Sequence, residues 1–521
     1  MIERTRRQTI GDTLRRSRKR YPNKLALKWK DNVLTFRQFD EKVNQLAHRL
    51  LAAKVKKGER IAILATNCLD IAIVHYASAR IGAITVPINF MLKPEEVHYI
   101  LNHSEPVVLF ATLNRLTTAE AAIAEYSGLR TKVLLDTNES QSGWEELSGW
   151  IEEESVDDPD VEVDDQDVVN ILYTSGTESK PKGVMLTHQN LITEYVSCIV
   201  DFHFNVEDTL IHALPLFHSA QLHAFLGPSV YLGSSGVILE SPQPEILMET
   251  LSREKVTQFF CPPTVWIAMI RHSDFRPEYL SALRKCYFGA SATPMEVLKE
   301  AGEMLPQVRF WNTYGQTEVA PFATVLQPEE QLNKIGTVGR PCLNMETKVV
   351  NDLDQEVSPG TLGEIVHRSP HVMAGYYRDE EKTKAVFQNE WFHTGDLGFF
   401  DKDGYLTVVD RKKDMIKTGG ENVASLEVEE ILYQHPTVNE VSVIGVPHPY
   451  WIEAIVAVIV AKPGQTVDEI ELQSFCKENL ADFKVPKFFV VADDLPRNPS
   501  GKILKRELRE QYKDFAEEIE L

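Results

Sequence analysis

The sequence predicts an α/β fold: a large N-terminal region of several subdomains on mixed or parallel sheets, followed by a small α+β C-terminal domain. Three observations predict it. From Leu25 to about Val409, short apolar runs alternate with stretches of helical length, as strands joined by crossover helices do. The 521 residues correspond to two to four units at about 150 residues each. The chain is 43% hydrophobic and 9% aromatic, enough for packed cores and unlike a disordered chain.

The elements follow in order. Arg4, Arg6, Arg7, Arg15, Arg16, Arg18, Lys19 and Arg20 make the N-terminus basic, without the apolar core of a secretory signal. Asp12 is the expected cap of a short helix and Tyr21-Pro22 its end, so the segment reads as a surface helix in preference to one that touches anionic lipid. Ile61–Leu64 and Val107–Phe110 read as strands, and Phe39–Ala52 and Leu69–Ile81 as helices. Glu152–Asp167 holds ten carboxylates and reads as a solvated surface loop. A second unit starts near Asp410, dividing the chain into 1–409 and 410–521. In it Ser425–Gln434 reads as a helix with Ser425 as candidate cap, Val441–Val446 and Ala454–Ala461 as strands, and Val467–Leu480 as a helix.

Charge and composition exclude several functions. With 55 Lys+Arg against 76 Asp+Glu the net charge is −21, which argues against nucleic acid, whose binding rests on neutralising phosphates. No apolar run reaches the length of a membrane span, about 18 residues. The six cysteines lie far apart without CxxC or Cys/His spacing and read as reduced, mostly buried thiols. A cytoplasmic location is expected, and a homodimer is compatible with the chain.

The most informative segment is Ile171-Leu172-Tyr173-Thr174-Ser175-Gly176-Thr177-Glu178-Ser179-Lys180-Pro181-Lys182-Gly183-Val184. A buried-type strand runs into hydroxyls, glycine and two lysines, then into a second strand. Hydroxyls, bare N–H groups and lysines in one loop suit a polyphosphate, although the loop does not fit GxxxxGK[ST]. A Ser/Gly-rich turn is the bland alternative for this segment alone.

With the motifs that follow, the sequence resembles the acyl-adenylate-forming superfamily: acyl-CoA synthetases, luciferases and the adenylation domains of peptide synthetases. After Tyr173–Val184 come Leu214-Pro215-Leu216-Phe217-His218, Phe288-Gly289-Ala290-Ser291 and Asn312-Thr313-Tyr314-Gly315-Gln316-Thr317-Glu318. His393-Thr394-Gly395-Asp396, Asp410–Val423 and Pro496-Arg497-Asn498-Pro499-Ser500-Gly501-Lys502 complete the series in family order.

The resemblance implies an enzyme that uses ATP to convert a carboxylate into an acyl-AMP, with loss of pyrophosphate, before a thiol displaces AMP. Lys502 matches the adenylation lysine, which holds carboxylate and phosphate oxygens together. Glu318 and Thr174 match the magnesium positions. Thr317 is expected on the α-phosphate, and Ser175, Gly176, Thr177 and Lys182 on the phosphates. Tyr314 is expected to stack on adenine, with Gly289, Ala290 and Ser291 along its opposite side and Asn312, Thr313 and Gly315 in the same motif. Asp396 and Arg411 are expected on the ribose. His218 resembles the gate between the acyl pocket and the thiol tunnel, and Ala220 and Gly289 are expected to line that pocket. The small domain is expected to be mobile, turning about Asp410 to present Lys502 and then Lys417–Glu421, with Gly419 and Gly420, for thioester formation.

Two departures stand out. Glu178-Ser179 replaces the family's usual Thr-Gly, and Ile452 follows Trp451 where many acyl-CoA synthetases have glycine. No Asp meets an ammonium group after Phe217-His218, which disfavours amino-acid activation. Small Ala220 and Gly289 suggest a long apolar slot, so the expected acid is a medium- or long-chain fatty acid and the expected acceptor CoA. An aromatic or carnitine-like acid, a carrier-protein acceptor and a catalytically dead scaffold are the alternatives.

Overall fold

The computed structural model describes residues 5–137, 139–174, 181–289, 295–497 and 503–513. Its contacts divide the chain into two compact units. One holds Met1–Ile335, Gly339–Glu346 and His367–Phe392; the other holds Gly336–Val338, Thr347–Val366 and His393–Leu521. The expected boundary at Asp410 falls inside the second.

In the first unit, Arg309–Tyr314, Lys285–Gly289, Gln258–Phe260, Thr209–His212, Ser235–Ile238 and Leu25–Trp29 lie side by side, all parallel, in a nine-stranded sheet. Antiparallel strands close both its edges. An eight-stranded sheet sets Val168–Thr174, Ile84–Pro87, Arg60–Leu64, Pro106–Thr112, Thr131–Leu135 and Glu145–Glu146 in parallel, with antiparallel Lys182–Thr187 and Gly375–Tyr376 at one edge. The continuous apolar runs read from the sequence are these parallel strands, which helices cover on both faces. One hydrophobic core takes in Leu27, Leu210 and Tyr287 from the first sheet and Ile61 and Val108 from the second.

Phe36–Ala52 and Leu69–Arg80 are helices as expected. The N-terminal helix, Ile10–Arg20, differs in two respects. Its cap is Thr9, and Asp12 is the reciprocal partner three residues on: Asp12 N donates to Thr9 Oγ1 at 3.4 Å, and Thr9 N to Asp12 Oδ2 at 3.0 Å. It is no surface helix either, since Ile10, Leu14 and Ser17 are buried. Its basic residues meet acids of the same unit, Arg18 with Asp40 at 3.4 Å and Arg15 with Asp12 and Asp158.

The acidic segment is also more than a solvated loop. Asp158 reaches Arg15 and Arg80 at 3.1 and 3.3 Å, Asp167 reaches Lys57 at 2.6 Å, and Asn44 donates to Val156 O at 2.7 Å. All six cysteines are buried and free. No described helix is long and apolar enough to cross a membrane.

The second unit contains a long antiparallel pair, Val438–His448 with Ile452–Ala461. On the free edge of Ile452–Ala461, Phe488–Val491 pairs in parallel along Val456–Ile459, and Ile416–Thr418, followed by Glu421–Val423, joins at Ile452. Helices Ser425–Tyr433 and Glu469–Asn479 pack on it through Val428, Leu432, Leu472 and Cys476. Strands Trp391–Phe400 and Leu406–Arg411 form an antiparallel pair in a separate sheet. Ser425 is not the cap of its helix. Ala424 holds that position, and the Ser425 side chain is turned to Asp410 instead.

Candidate active site

In the first unit, Thr174 ends one strand and Lys182 begins the next, and the two are register partners across the hairpin. The Lys182 ammonium stands over the Tyr376 ring, 5.4 Å from its centroid. The Tyr376 hydroxyl donates to Glu318 Oε1 at 3.0 Å. Met373 N donates to the Glu318 carbonyl at 2.8 Å, and Thr317 Oγ1 lies 3.2 Å from Ser219 Oγ. A continuous chain of contacts thus leads from Lys182 through Tyr376 to the Thr317-Glu318 turn. Tyr376 was not found from the sequence, because its contact spans 58 positions and Gly375-Tyr376-Tyr377 carries no motif of its own.

Gly289 and Thr313 are partners on adjacent parallel strands. A Cβ at Gly289 would come within 2.4 Å of Thr313 O, and one at Gly315 within 1.9 Å of Pro321 O, so both glycines are steric requirements. The Thr313 hydroxyl donates to Phe288 O at 3.2 Å, and the Tyr314 ring lies 6.3 Å from the buried His367 ring. Asn312 pairs with Phe288 along the same strands.

The loop bearing His218 hangs from a buried asparagine that motif reading also missed. Asn67 Nδ2 donates to Leu214 O at 2.8 Å and Leu239 O at 3.0 Å, while its Oδ1 accepts from Leu216 N at 2.8 Å. Ala220 N donates to His218 Nδ1 at 3.2 Å, which makes that nitrogen an acceptor and leaves the ring proton on Nε2. Burial pushes the His218 pKa down, so its imidazole is neutral around pH 7.

In the second unit, Asp396 and Arg411 are partners on the antiparallel pair, with Arg411 Nε 3.3 Å from Asp396 Oδ1. Thr394 Oγ1 accepts from Asp396 N at 3.0 Å and donates to Ile365 O at 2.6 Å, fixing the turn that carries the acid. Thr418 and Glu421 flank a two-residue turn in which Gly419 and Gly420 have φ of +58° and +89°, and Lys417 pairs with Asn422 one position back. Both glycines therefore occupy left-handed backbone, as this hairpin turn demands. Gly419 N donates to Trp451 O at 2.8 Å. Ile452, the departure after Trp451, is itself left-handed at φ +72° and 64% exposed, a geometry that suits glycine and strains a β-branched residue. Asp410 accepts from Arg411 N at 2.7 Å through one oxygen and from Ser425 through the other. Ser175, Gly176, Thr177, Ala290, Ser291 and Lys502, with the Glu178-Ser179 departure, lie outside the described residues.

Chemically, the first unit offers a carboxylate and a hydroxyl near a lysine, suited to a divalent ion and phosphates, and the second offers an acid–base pair suited to vicinal hydroxyls. Among the described residues no three His, Cys, Asp or Glu side chains gather into a metal cage. Glu318 and Thr174 fit magnesium only as part of a set completed by phosphate oxygens and water, which is how that ion is commonly held.

The family model described as AMP-binding enzyme matches residues 14–377, and the model for the AMP-binding enzyme C-terminal domain matches residues 427–502. A feruloyl-CoA synthase of Amycolatopsis sp is 35% identical, over 97% of this chain and 100% of that protein. A long-chain-fatty-acid–CoA ligase of Bacillus subtilis (strain 168) is 30% identical, over 97% of this chain and 94% of that protein. The crystal structure of the anthranilate CoA ligase AuaEII with anthranoyl-AMP superimposes with a TM-score of 0.91 at 29% identity, covering 98% of both chains.

Proposed function

The chain belongs to the AMP-binding enzyme family and is an ATP-dependent acyl-CoA ligase, and from that premise we propose that its acid is aromatic, an aryl or arylalkenyl carboxylate. The observation that carries the reading is full-length similarity to an aromatic-acid synthase, the feruloyl-CoA synthase. The anthranilate ligase supports it at the level of structure. This replaces the fatty acid expected from small Ala220 and Gly289. A small side chain in a pocket wall admits a ring as readily as a chain, so that argument does not discriminate between them.

In this reading the acid's carboxylate attacks the α-phosphorus of ATP, pyrophosphate leaves, and the CoA thiol then displaces AMP from the acyl carbon. Lys182 meets the phosphates, and Lys502 aligns carboxylate and phosphate oxygens. Glu318, held by the Tyr376 hydroxyl, and Thr174 would hold magnesium, which would supply charge neutralisation to the phosphates. Tyr314 stacks on adenine, and Asp396 with Arg411 takes the ribose hydroxyls. Neutral His218 can border an apolar acyl pocket without the cost of a buried charge. The C-terminal domain supplies Lys502 for the first half-reaction and the Lys417–Glu421 turn for the second.

The test is AMP release with ATP and magnesium across ferulate, cinnamate, anthranilate, indoleacetate, octanoate and oleate, each with and without CoA. CoA-dependent turnover should peak on an aromatic acid. A peak on octanoate or oleate would overturn the substrate reading. Pyrophosphate release that CoA does not stimulate would overturn the acceptor.

A further inference from the structure

Inside the second unit Asp410 anchors a buried polar chain whose other members, Ser425, Glu429 and Lys505, have no part in the reaction described so far. Asp410 is 3% exposed, and its Oδ2 accepts from both Ser425 N and Ser425 Oγ, each at 2.7 Å. Ser425 Oγ in turn accepts from the Lys505 ammonium. Lys505 Nζ lies 2.8 Å from Glu429 Oε1, and that oxygen also accepts from Val443 N at 2.7 Å. One ammonium therefore serves two buried carboxylates, Glu429 directly and Asp410 through a hydroxyl.

Lys505 lies three residues beyond Lys502 in the sequence. The described residues on either side of 498–502 are pinned as well. Arg497 and Ile503 form an antiparallel bridge, Leu504 N donates to Pro496 O at 2.8 Å, and Arg497 pairs with Glu440.

We propose that Lys505 is a positioning residue for adenylation: through Ser425 and Glu429 it fastens the chain that follows Lys502 to Asp410 at the start of the domain. The inference rests on the reading of Lys502 as the adenylation lysine and Asp410 as the pivot. A lysine that aligns two anions must be carried by something rigid, since a displacement of about 1 Å can cost about a hundredfold in rate. Relay and pivot then move as one body.

The experiment measures the two half-reactions separately, using the preferred acid of the substrate panel: acid-dependent ATP–pyrophosphate exchange, and thioester formation from supplied acyl-AMP and CoA. Lys505→Met should slow exchange at saturating ATP by about tenfold or more, leave KM for ATP within about threefold, and keep thioester formation within about twofold. Lys505→Arg should recover most of the loss, because a second cation can bridge Ser425 and Glu429. Should Lys505→Met fail to fold, Ser425→Ala removes the middle of the chain while the Lys505–Glu429 pair remains, and it should show the same one-sided loss. Equal loss in both half-reactions, or none in either, overturns the relay. Lys502→Ala separates this from failure of the underlying reading. Exchange that survives Lys502→Ala would remove the role of Lys502 itself, whereas exchange lost there and intact in Lys505→Met would remove only the relay.

Discussion

Taking one oxygen away, in Tyr376→Phe, removes the hydroxyl that donates to Glu318 Oε1 at 3.0 Å. A hydrogen bond to a carboxylate contributes about 1.5 kcal/mol or more, so kcat/KM for ATP with magnesium should fall by roughly tenfold. Raised magnesium should restore part of the loss, and the thermal midpoint should barely move. An unchanged kcat/KM at limiting magnesium would show that Glu318 does not depend on this hydroxyl. At this scale the sequence was legible where a residue type alone defines the chemistry. Glu318, Asp396 and the paired glycines stand out from their motifs, and the oddity of Ile452 after Trp451 was visible before its φ of +72° was known. Tyr376 and Asn67 were not legible. Each acts through a hydrogen bond to a segment distant in sequence, and neither side chain signals its partner. Ser425 was misread for a related reason: serine at a helix start usually caps, but here a buried aspartate competes for its hydroxyl and wins.

Among the elements, the helix Phe36–Ala52 announces itself by apolar periodicity and Leu69–Arg80, buried on every side, by its length between strands, whereas the polar contacts between them do not announce themselves. Arg80 is buried and bonds to Asp40 and to Asn44, while Asp158 from the acidic segment approaches it at 3.3 Å. Asp40 and Asn44 come from the first helix and Arg80 from the end of the second, so this group ties two elements and a loop together. Arg80→Met keeps the packing of the stem and removes the charge. Asp40, 1% exposed, would retain only the more exposed Arg18 at 3.4 Å, and losing one partner of a buried pair costs about 3–5 kcal/mol. The urea midpoint of unfolding should drop accordingly. A shift under about 1 kcal/mol would mean that Arg18 and water answer Asp40 well enough. The same group explains why the run Glu152–Asp167 misleads: ten carboxylates in sequence look solvated until the cations that meet them, Arg15, Arg80 and Lys57, are brought in by folding. Thr9 and Asp12 illustrate a smaller ambiguity, since both are capping residues and only the backbone decides which one caps.

Across the whole molecule the alternation of strand and helix foretold parallel sheets, but it could not foretell that Leu25–Trp29 would pair with Ser235–Ile238 some two hundred positions later. Nor does composition reveal how many of the 15 histidines are interior. Burial lowers His75, His212 and His367 to about 3 and His188 and His371 to about 4. Each is neutral in the folded chain, and each would bind a proton near pH 6.5 once unfolded. The unfolded state therefore takes up protons first as pH falls. The stability contributed by each burial is complete above about pH 6.5 and is lost progressively down to about pH 4 or 3, at about 1.4 kcal/mol per histidine per pH unit. Glu194 works in the opposite sense, because burial raises its pKa and holds it protonated, so it costs stability as pH rises. Asp70, Asp201, Glu429 and Glu430 are raised in the same sense, less strongly, while His218 and His223 are lowered like the five histidines. The histidines outweigh the carboxyls below neutrality, and the urea midpoint should fall steeply between pH 7.5 and 5.5. His75 isolates one contribution: both ring nitrogens are buried without a hydrogen-bond partner, so His75→Leu deletes the titrating group and breaks no bond. That variant should unfold later than the parent at pH 5.5 and lose less stability per pH unit across the interval. A parent whose midpoint is flat from pH 7.5 to 5.5 would show that these imidazoles gain their proton without unfolding, and that burial does not keep them neutral.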